Sequence, residues 1–172
     1  MTKSWIAALA VLAVSSVAAA QAPQPAGTPA PPAPRARGPA LAPAVAAAQA
    51  AVATCLANTY KVTALIVDSA GDPVVLLSGD GVSVRTQAIA KTKIAAVMKY
   101  KMSSAEVVAK AKADPKLDAE IKADPNIGTA RAGALPIMSG GQMIGAFAVS
   151  GAPGGDKDEA CVAAALAKVP LN

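Results

Sequence analysis

The stretch 62-VTALIVDSAGDPVVLL-77 decides the fold of this chain. Val62 to Val67 is a continuous apolar run that is partly β-branched, and Val74 to Leu77 is a second apolar run. Between them, residues 68–73 are a dense cluster of Asp, Ser, Gly and Pro, which favour turns. Two such runs around such a cluster predict a hairpin of two buried strands.

A second hairpin is predicted further along the chain. Residues 135–138 and 143–149 are mostly apolar and flank the turn sequence SGGQ at 139–142. Pro136 lies within the first of these runs and has no backbone N–H to donate to a sheet ladder. We therefore expect its strand at an edge of the sheet or beside a cleft.

Apolar residues at helical spacing predict helices before, between and after the two hairpins. In chain order these are 44–58, 87–101 with Thr86 as its cap, a segment from the capping-box sequence Ser103–Glu106, a segment from Pro115, and 156–168. This order indicates an α+β fold. We expect a central antiparallel sheet of two hairpins flanked by helices, in a profilin-like or PAS-like layered architecture.

The first 20 residues have the pattern of a signal peptide. Lys3 precedes an apolar run over residues 5–14, and small residues end at Ala18-Ala19-Ala20. A membrane anchor is the alternative, but the run is shorter than the roughly 20 apolar residues that a spanning helix needs. We predict cleavage, a periplasmic or secreted location, and no transmembrane segment in the mature chain.

A proline-rich segment follows the predicted cleavage site. Residues 21–43 contain eight prolines interleaved with Ala and Gly. Such a segment buries no core and favours extended conformations, so we predict a disordered linker. The folded domain is expected to cover residues 44–172, the length of an ordinary single domain.

The chain has no histidine, which excludes several kinds of site. A Ser-His-Asp triad, a Cys-His pair, a histidine zinc centre and a haem with a proximal histidine all require that residue. The formal charge of +5 carries little information, because three of the 16 basic residues lie before residue 44 and leave 13 against 11 acidic residues. No nucleic-acid partner is therefore expected.

The two cysteines, Cys55 and Cys161, lie in the first and last predicted helices. Exported chains commonly form disulfides. If these helices lie together on the sheet, a disulfide would close a loop of about 100 residues and have a structural role. A single reactive thiol is the alternative.

Lys91 is an unexpected charge on the helix predicted over 87–101. At 100° per residue it falls among Ile94, Ala95 and Met98, within the apolar arc of its own helix. A lysine there extends its stem to reach solvent, pairs with an acid, or faces a ligand cavity. In the last case it is a cation for a ligand that carries a carboxylate.

Two glycine-containing loops are further candidates for a binding site. Residues 150–155, SGAPGG, join a strand to a helix start and can present backbone N–H groups to an anion; a loop that serves packing is the alternative. Arg131 and Gly133 lie just before the strand that contains Pro136, where glycine permits close approach by a ligand or by another backbone.

Four segments, taken in order, resemble the GlcG/HbpS-like haem-binding family. They are Ile66–Gly71, Ala88–Ala95, Gly133–Ile137, and Ile144–Gly155 leading to Asp158. The resemblance covers most of residues 44–169. It implies an α+β fold with a central antiparallel sheet, assembly into homo-oligomers and, for some members, haem binding outside the cytoplasm.

The resemblance also implies roles for individual residues. Lys91 corresponds to the family's helix lysine, Gly151 to its loop glycine, and Asp158 to its helix-start acid. The family's usual Gly-Gly-x-Pro-Ile is replaced by GALPI at residues 133–137.

Haem is thus the expected cofactor, with its iron ligand unassigned. Because histidine ligation is impossible, the available side chains are Met98, Tyr100, Met102 and Met138. The haem propionates would pair with Lys91, Lys93 or Arg131.

These observations favour an exported module that binds a small ligand, haem or a related carboxylate-bearing molecule, in a cleft near Lys91. The expected ligand-binding residues are Lys91, Lys93, Met98, Arg131, Gly133, Pro136, Gly151 and Asp158. One alternative is a structural, oligomeric interaction protein without a small ligand. Another is an enzyme that acts on a small carboxylate, with Lys91 as base or electrostatic anchor and a lowered lysine pKa as its requirement.

Overall fold

Residues 36–171, the part of the chain that this computed structural model describes, form five α-helices and four β-strands. The elements are α1 Leu41–Ala57, β1 Thr63–Asp68, β2 Pro73–Ser78, α2 Arg85–Tyr100, α3 Ser104–Ala113, α4 Pro115–Ala123, β3 Ala134–Ser139, β4 Gln142–Ser150 and α5 Gly155–Lys168. The predicted α+β class and the order of its elements are confirmed. The predicted signal peptide and the predicted linker up to residue 35 lie outside the described residues.

The four strands form one antiparallel sheet in the order β2-β1-β4-β3. The two hairpins join through β1 and β4, where Thr63 pairs with Ser150 and Asp68 with Gly145. β3 lies at an edge, as Pro136 predicts, because an edge strand has only one ladder partner. β2 is the other edge, and the prediction that it is buried is wrong: its residues are half-buried or exposed.

Strand side chains alternate between two faces of the sheet. One face packs against α1 and α5, and its buried residues include Val62, Ile66, Ile137, Phe147 and Val149. The other face packs against α2, and its buried residues are Leu65, Val67, Ala134, Ala146 and Ala148. α3 and α4 extend the α2 layer through a separate small core that includes Val107 and Ile121.

A disulfide joins α1 to α5 on the first face. Cys55 and Cys161 are both buried, their Cα atoms are 5.7 Å apart, and 106 residues separate them in sequence. Both helices pack small residues against the same core, which brings the cysteines together. The predicted pairing is confirmed, and the alternative of a reactive thiol is wrong.

Helix starts follow their local signals in two cases and depart from them in a third. Ser103 and Glu106 form the predicted capping box of α3, and Pro115 begins α4 behind the cap residue Asp114. Thr86 does not cap α2: it lies inside the helix, and its buried hydroxyl donates to the Ser83 carbonyl at 2.7 Å. Within residues 36–171, no helix has the length and apolar composition that crossing a membrane requires.

The domain begins earlier than predicted. α1 starts at Leu41, so residues 41–43 are helical although they were expected to be linker. Before that helix, the Arg37 backbone makes two hydrogen bonds with Ser69: its N–H donates to Ser69 Oγ at 2.8 Å, and its carbonyl accepts from the Ser69 N–H at 2.7 Å. The Arg37 guanidinium also donates to the Gln142 side chain. The end of the proline-rich segment therefore binds to the turns of both hairpins.

Candidate functional site

Two cavities border α2 on different sides. Side chains two positions apart along an α-helix point about 200° away from each other, so Lys91 and Lys93 face different neighbours. Lys91 borders a cavity of about 430 Å³ next to β1, here called the β1 cleft. Lys93 borders a cavity of about 350 Å³ at the start of α5, here called the α5 cavity.

The β1 cleft has mostly apolar walls. Its lining includes Leu65, Val67, Lys91, Ile94, Ala95 and Met98, with Asn126 at one side. Lys91 thus shares a cavity with the apolar residues of its own helix, as the helical spacing predicts. Its side chain is exposed, however, and among the described residues it makes no ion pair. It borders the apolar surface from the solvent side and is not buried within it.

The α5 cavity contains the buried charges of the domain. Lys93 donates to Asp158 Oδ2 at 2.6 Å and to the Val149 carbonyl at 2.8 Å, and both charged residues are buried. The Ala152 N–H donates to the other Asp158 oxygen at 2.9 Å. This ion pair joins α2 to α5 at the end of β4.

Burial decides the electrostatics of this pair. Desolvation lowers the pKa of Lys93 below its ordinary value, against the opposing attraction of Asp158. Desolvation likewise raises the pKa of Asp158, against the attraction of Lys93. Arg131 adds to the lowering at Lys93, so a second cation lies close enough to act on it. Burial also raises the pKa of neighbouring Glu159, which accepts the Gly133 N–H at 3.3 Å.

Gly133 makes room for the ion pair. Its φ of +119° is one that other residues rarely adopt, and a Cβ there would lie 2.5 Å from Lys93 Nζ and 2.7 Å from Asp158 Cβ. Gly151 has φ +136°, and a Cβ would collide with the Lys61 carbonyl. At Gly133, where a ligand or another backbone is expected to approach, the nearest atoms belong to the Lys93 and Asp158 side chains, followed by the Val149 carbonyl at 3.0 Å. At Gly151 it is another backbone that approaches closely.

Most of the remaining predicted residues line one of the two cavities, and Pro136 lines neither. Arg131, Gly151 and Asp158 line the α5 cavity with Lys93, whereas Met98 lines the β1 cleft with Lys91. Pro136 is half-buried in edge strand β3 and is not among the residues that line either cavity. α5 begins at Gly155, one residue before the predicted start, and no side chain caps it.

Lys93, and not Lys91, is the buried lysine of α2. Lys91 reaches solvent at the edge of a cavity, which agrees with two of the three placements that its helical spacing leaves open. The helical spacing of α2 contains a sign that Lys93 is buried. Thr86, Ala90, Lys93 and Val97 recur at i, i+4, i+7 and i+11 and form the buried stripe of α2. Three of these residues are small or polar, so the stripe does not look like a core face in sequence. Within residues 36–171, no group of three Cys, Asp or Glu side chains could hold a metal ion.

The fold and these cavities define an α+β domain with two spaces of small-ligand size. A family model described as "Haem degrading protein HbpS-like" matches residues 40–167. The chain therefore belongs to the HbpS-like family, which confirms the resemblance found in its sequence.

Solved structures share this fold. A structure of HbpS is 28% identical with a TM-score of 0.67, covering 76% of this chain and 89% of that one. A double mutant of Streptomyces reticuli HbpS is 27% identical with a TM-score of 0.71, covering 86% and 99%. A PduOC:haem complex shares the fold at 18% identity and a TM-score of 0.69, covering 77% and 96%. No curated protein sequence matches this chain significantly.

Proposed function

We propose that this chain is an exported module that binds haem, or a related ligand bearing a carboxylate, in the β1 cleft. The observation that carries the proposal is the pairing of Lys91, an exposed cation, with an apolar wall on the same helix. Membership of a family described as haem-degrading supports haem as the ligand.

The residues of the cleft fit the chemistry of haem. Haem supplies an iron centre in a flat apolar macrocycle with two carboxylates at one edge. Leu65, Val67 and Ile94 offer apolar surface to such a macrocycle. The Met98 thioether is the cleft side chain suited to the iron, as methionine is in cytochromes c.

Lys91 and Met98 are spaced for the two ends of one ligand. They are seven positions apart on α2, which is about 10.5 Å along the helix axis. An ammonium at one end and a thioether at the other suit a ligand with a peripheral carboxylate and a central metal. Lys93 and Arg131, the other expected propionate partners, line the α5 cavity instead. Lys91 is therefore the cation that this proposal assigns to the carboxylate.

A haemin titration followed by absorbance tests the binding proposal. We expect a saturable, shifted Soret band, with affinity about tenfold or more weaker in Lys91→Ala because a charge-assisted hydrogen bond is lost. Met98→Ala is expected to change the band position as well as the affinity. Lys110→Ala and Met138→Ala are matched controls, because both residues are exposed and lie outside the cleft.

Two results would overturn the binding proposal. One is a spectrum that stays that of free haemin at stoichiometric protein. The other is an equal loss of affinity in the cleft variants and in their controls. The latter would place haemin on a non-specific surface.

Export is part of the proposal and has its own test. It is supported by the signal-like residues 1–20 and by the Cys55–Cys161 disulfide, a bond typical of oxidising compartments. Mass spectrometry of the protein from fractionated cells should find a periplasmic or secreted chain that begins near Gln21 and is oxidised. A full-length, reduced chain confined to the cytoplasm would contradict export. The same sample, run on a sizing column, tests the homo-oligomer that the family resemblance implies.

A further inference from the structure

We infer that the α5 cavity is a second binding site, which takes a small organic monocarboxylate independently of haem. It uses other residues than the β1 cleft and lies on another side of α2. The inference therefore stands or falls separately from the proposed function.

The charges that line the cavity leave one positive charge uncompensated. Lys93 is paired with Asp158 at 2.6 Å. Arg131 is exposed at the cavity, its guanidinium donates to the Thr129 carbonyl at 3.3 Å, and among residues 36–171 it has no carboxylate within ion-pair distance. A ligand with a single negative charge would balance Arg131.

Lys93 retains donor capacity that the protein does not use. An ammonium has three N–H donors, and two of them reach Asp158 and the Val149 carbonyl. The residue is only 2% exposed, so its third donor has the cavity as its route to a partner. A carboxylate between Lys93 and Arg131 would accept from both cations.

The ion pair is better explained by a binding role than by stability. A buried pair gains little net free energy over apolar packing, because desolvation offsets the attraction. Here the pair borders a cavity, and hydrogen bonds from the Ala152 N–H to Asp158 and from Lys93 to the Val149 carbonyl fix both charged groups in the space that Gly133 leaves. Donors fixed in place before binding reduce the ordering that a ligand must impose.

The lining also limits the ligand's size and charge. The volume of about 350 Å³ is near the lower end for ligand pockets, and Ile89, Val108 and Ala130 offer apolar surface for a short hydrocarbon body. The Asp158 carboxylate disfavours a dianion such as phosphate, since only one lining cation lacks an acidic partner. Glu159, which is half-buried beside the pair and bonded to Gly133, adds to that repulsion.

This inference is tested by titrating the full mature chain with sodium acetate, butyrate or benzoate. Inorganic phosphate at matched ionic strength is the comparison for each. Amide chemical shifts should change saturably at residues 130–132 and 150–155 with at least one carboxylate. Arg131→Gln should weaken that binding about tenfold or more. Ile89→Phe should weaken it by filling the cavity. Arg85→Gln is the matched control, an exposed arginine of α2 that does not line the cavity.

The inference is overturned if no carboxylate saturates these shifts, if phosphate binds more tightly, or if Arg131→Gln binds as well as the control. Haemin titration of Arg131→Gln separates the two sites, and we expect it to match the unmodified chain. Loss of haemin binding there would mean one shared site and would also overturn independence. A chain that binds butyrate but no haemin would refute the proposed function and leave this inference standing.

Discussion

The two faces of the sheet are packed in different ways. The face toward α1 and α5 buries Ile66, Phe147 and Val149 and carries the disulfide. The face toward α2 buries three alanines, at 134, 146 and 148, beside only two large side chains of β1. Both proposed binding spaces border α2 and neither borders α1.

This difference shows how one small domain separates stability from binding. Large side chains and a covalent link hold the first face to its helices, and the two cavities beside that face, of about 260 and 530 Å³, are lined by no buried charge. Alanines let α2 approach the sheet closely but fill little volume beside it, which leaves room for cavities at its flanks. Lys91 and Lys93 lie at those flanks.

Removing the disulfide is expected to have the largest effect on stability. The Cys55→Ala, Cys161→Ala double variant should lose about 4.7 kcal/mol of unfolding free energy on the chain-entropy model for a loop of this length. Urea denaturation measures the loss. Haemin affinity of the folded variant should stay unchanged, because the bond lies on the other face. If the variant loses as much free energy of haemin binding as of unfolding, then stability and binding do not depend on different faces of the sheet.

The two lysines of α2 should then differ sharply. Lys93→Met leaves Asp158 buried without its partner and should cost about 3–5 kcal/mol. Lys91→Met, on the exposed side, should change stability by no more than about 0.5 kcal/mol. Thermal or urea unfolding of both variants makes the comparison. If the two variants lose equal unfolding free energy, the buried ion pair contributes no more to stability than the exposed Lys91 does.

Gly133→Ala tests how tightly the ion pair is enclosed. The added Cβ meets Lys93 and Asp158 at a φ that alanine adopts with strain, so we expect a cost of about 1–3 kcal/mol. Gly140→Ala is the matched control, since it has a positive φ but open space around it. A cost for Gly133→Ala no larger than that of its control would show that backbone conformation alone is responsible.

The smallest expected effect concerns the hydroxyl contact between β1 and α2. Thr86 and Thr63 share a buried hydrogen bond of 2.7 Å, and Thr63 also contacts Ser78 at 2.9 Å. Thr86→Val should cost about 1 kcal/mol, because Thr63 keeps its other partner. Denaturant midpoints measure it. If Thr86→Val costs more unfolding free energy than Gly133→Ala, the Thr63–Thr86 hydrogen bond contributes more than the Lys93–Asp158 ion pair to holding α2 on the sheet.

Local patterns predicted most of the elements. The turn clusters located both hairpins, the capping box located α3, and Pro136 located an edge strand. These signals work because they depend on residues a few positions apart. The prediction that β2 is buried failed because an apolar run looks the same in sequence whether it forms a central strand or an edge strand.

The candidate site was predictable only in part. The sequence predicts a single cleft for Lys93, Arg131, Gly133, Gly151 and Asp158 together with Lys91 and Met98, whereas the structure divides the cavity-lining members between two cavities. Periodicity gives the angle of a side chain about its own helix and says nothing of what packs there. The neighbour that matters to Lys93 is Asp158, 65 positions away. Only the packing of α5 at the end of β4 makes that contact.

The sequence by itself determined the α+β class, the two hairpins, the lack of any histidine site and the pair of cysteines available for a disulfide. The tertiary structure decided which lysine is buried, which strand is exposed, and that the predicted ligand set divides into two cavities. The reason is physical: hydrogen-bonded turns and caps are settled within a few residues, whereas burial and charge pairing depend on elements that meet only after the chain has folded.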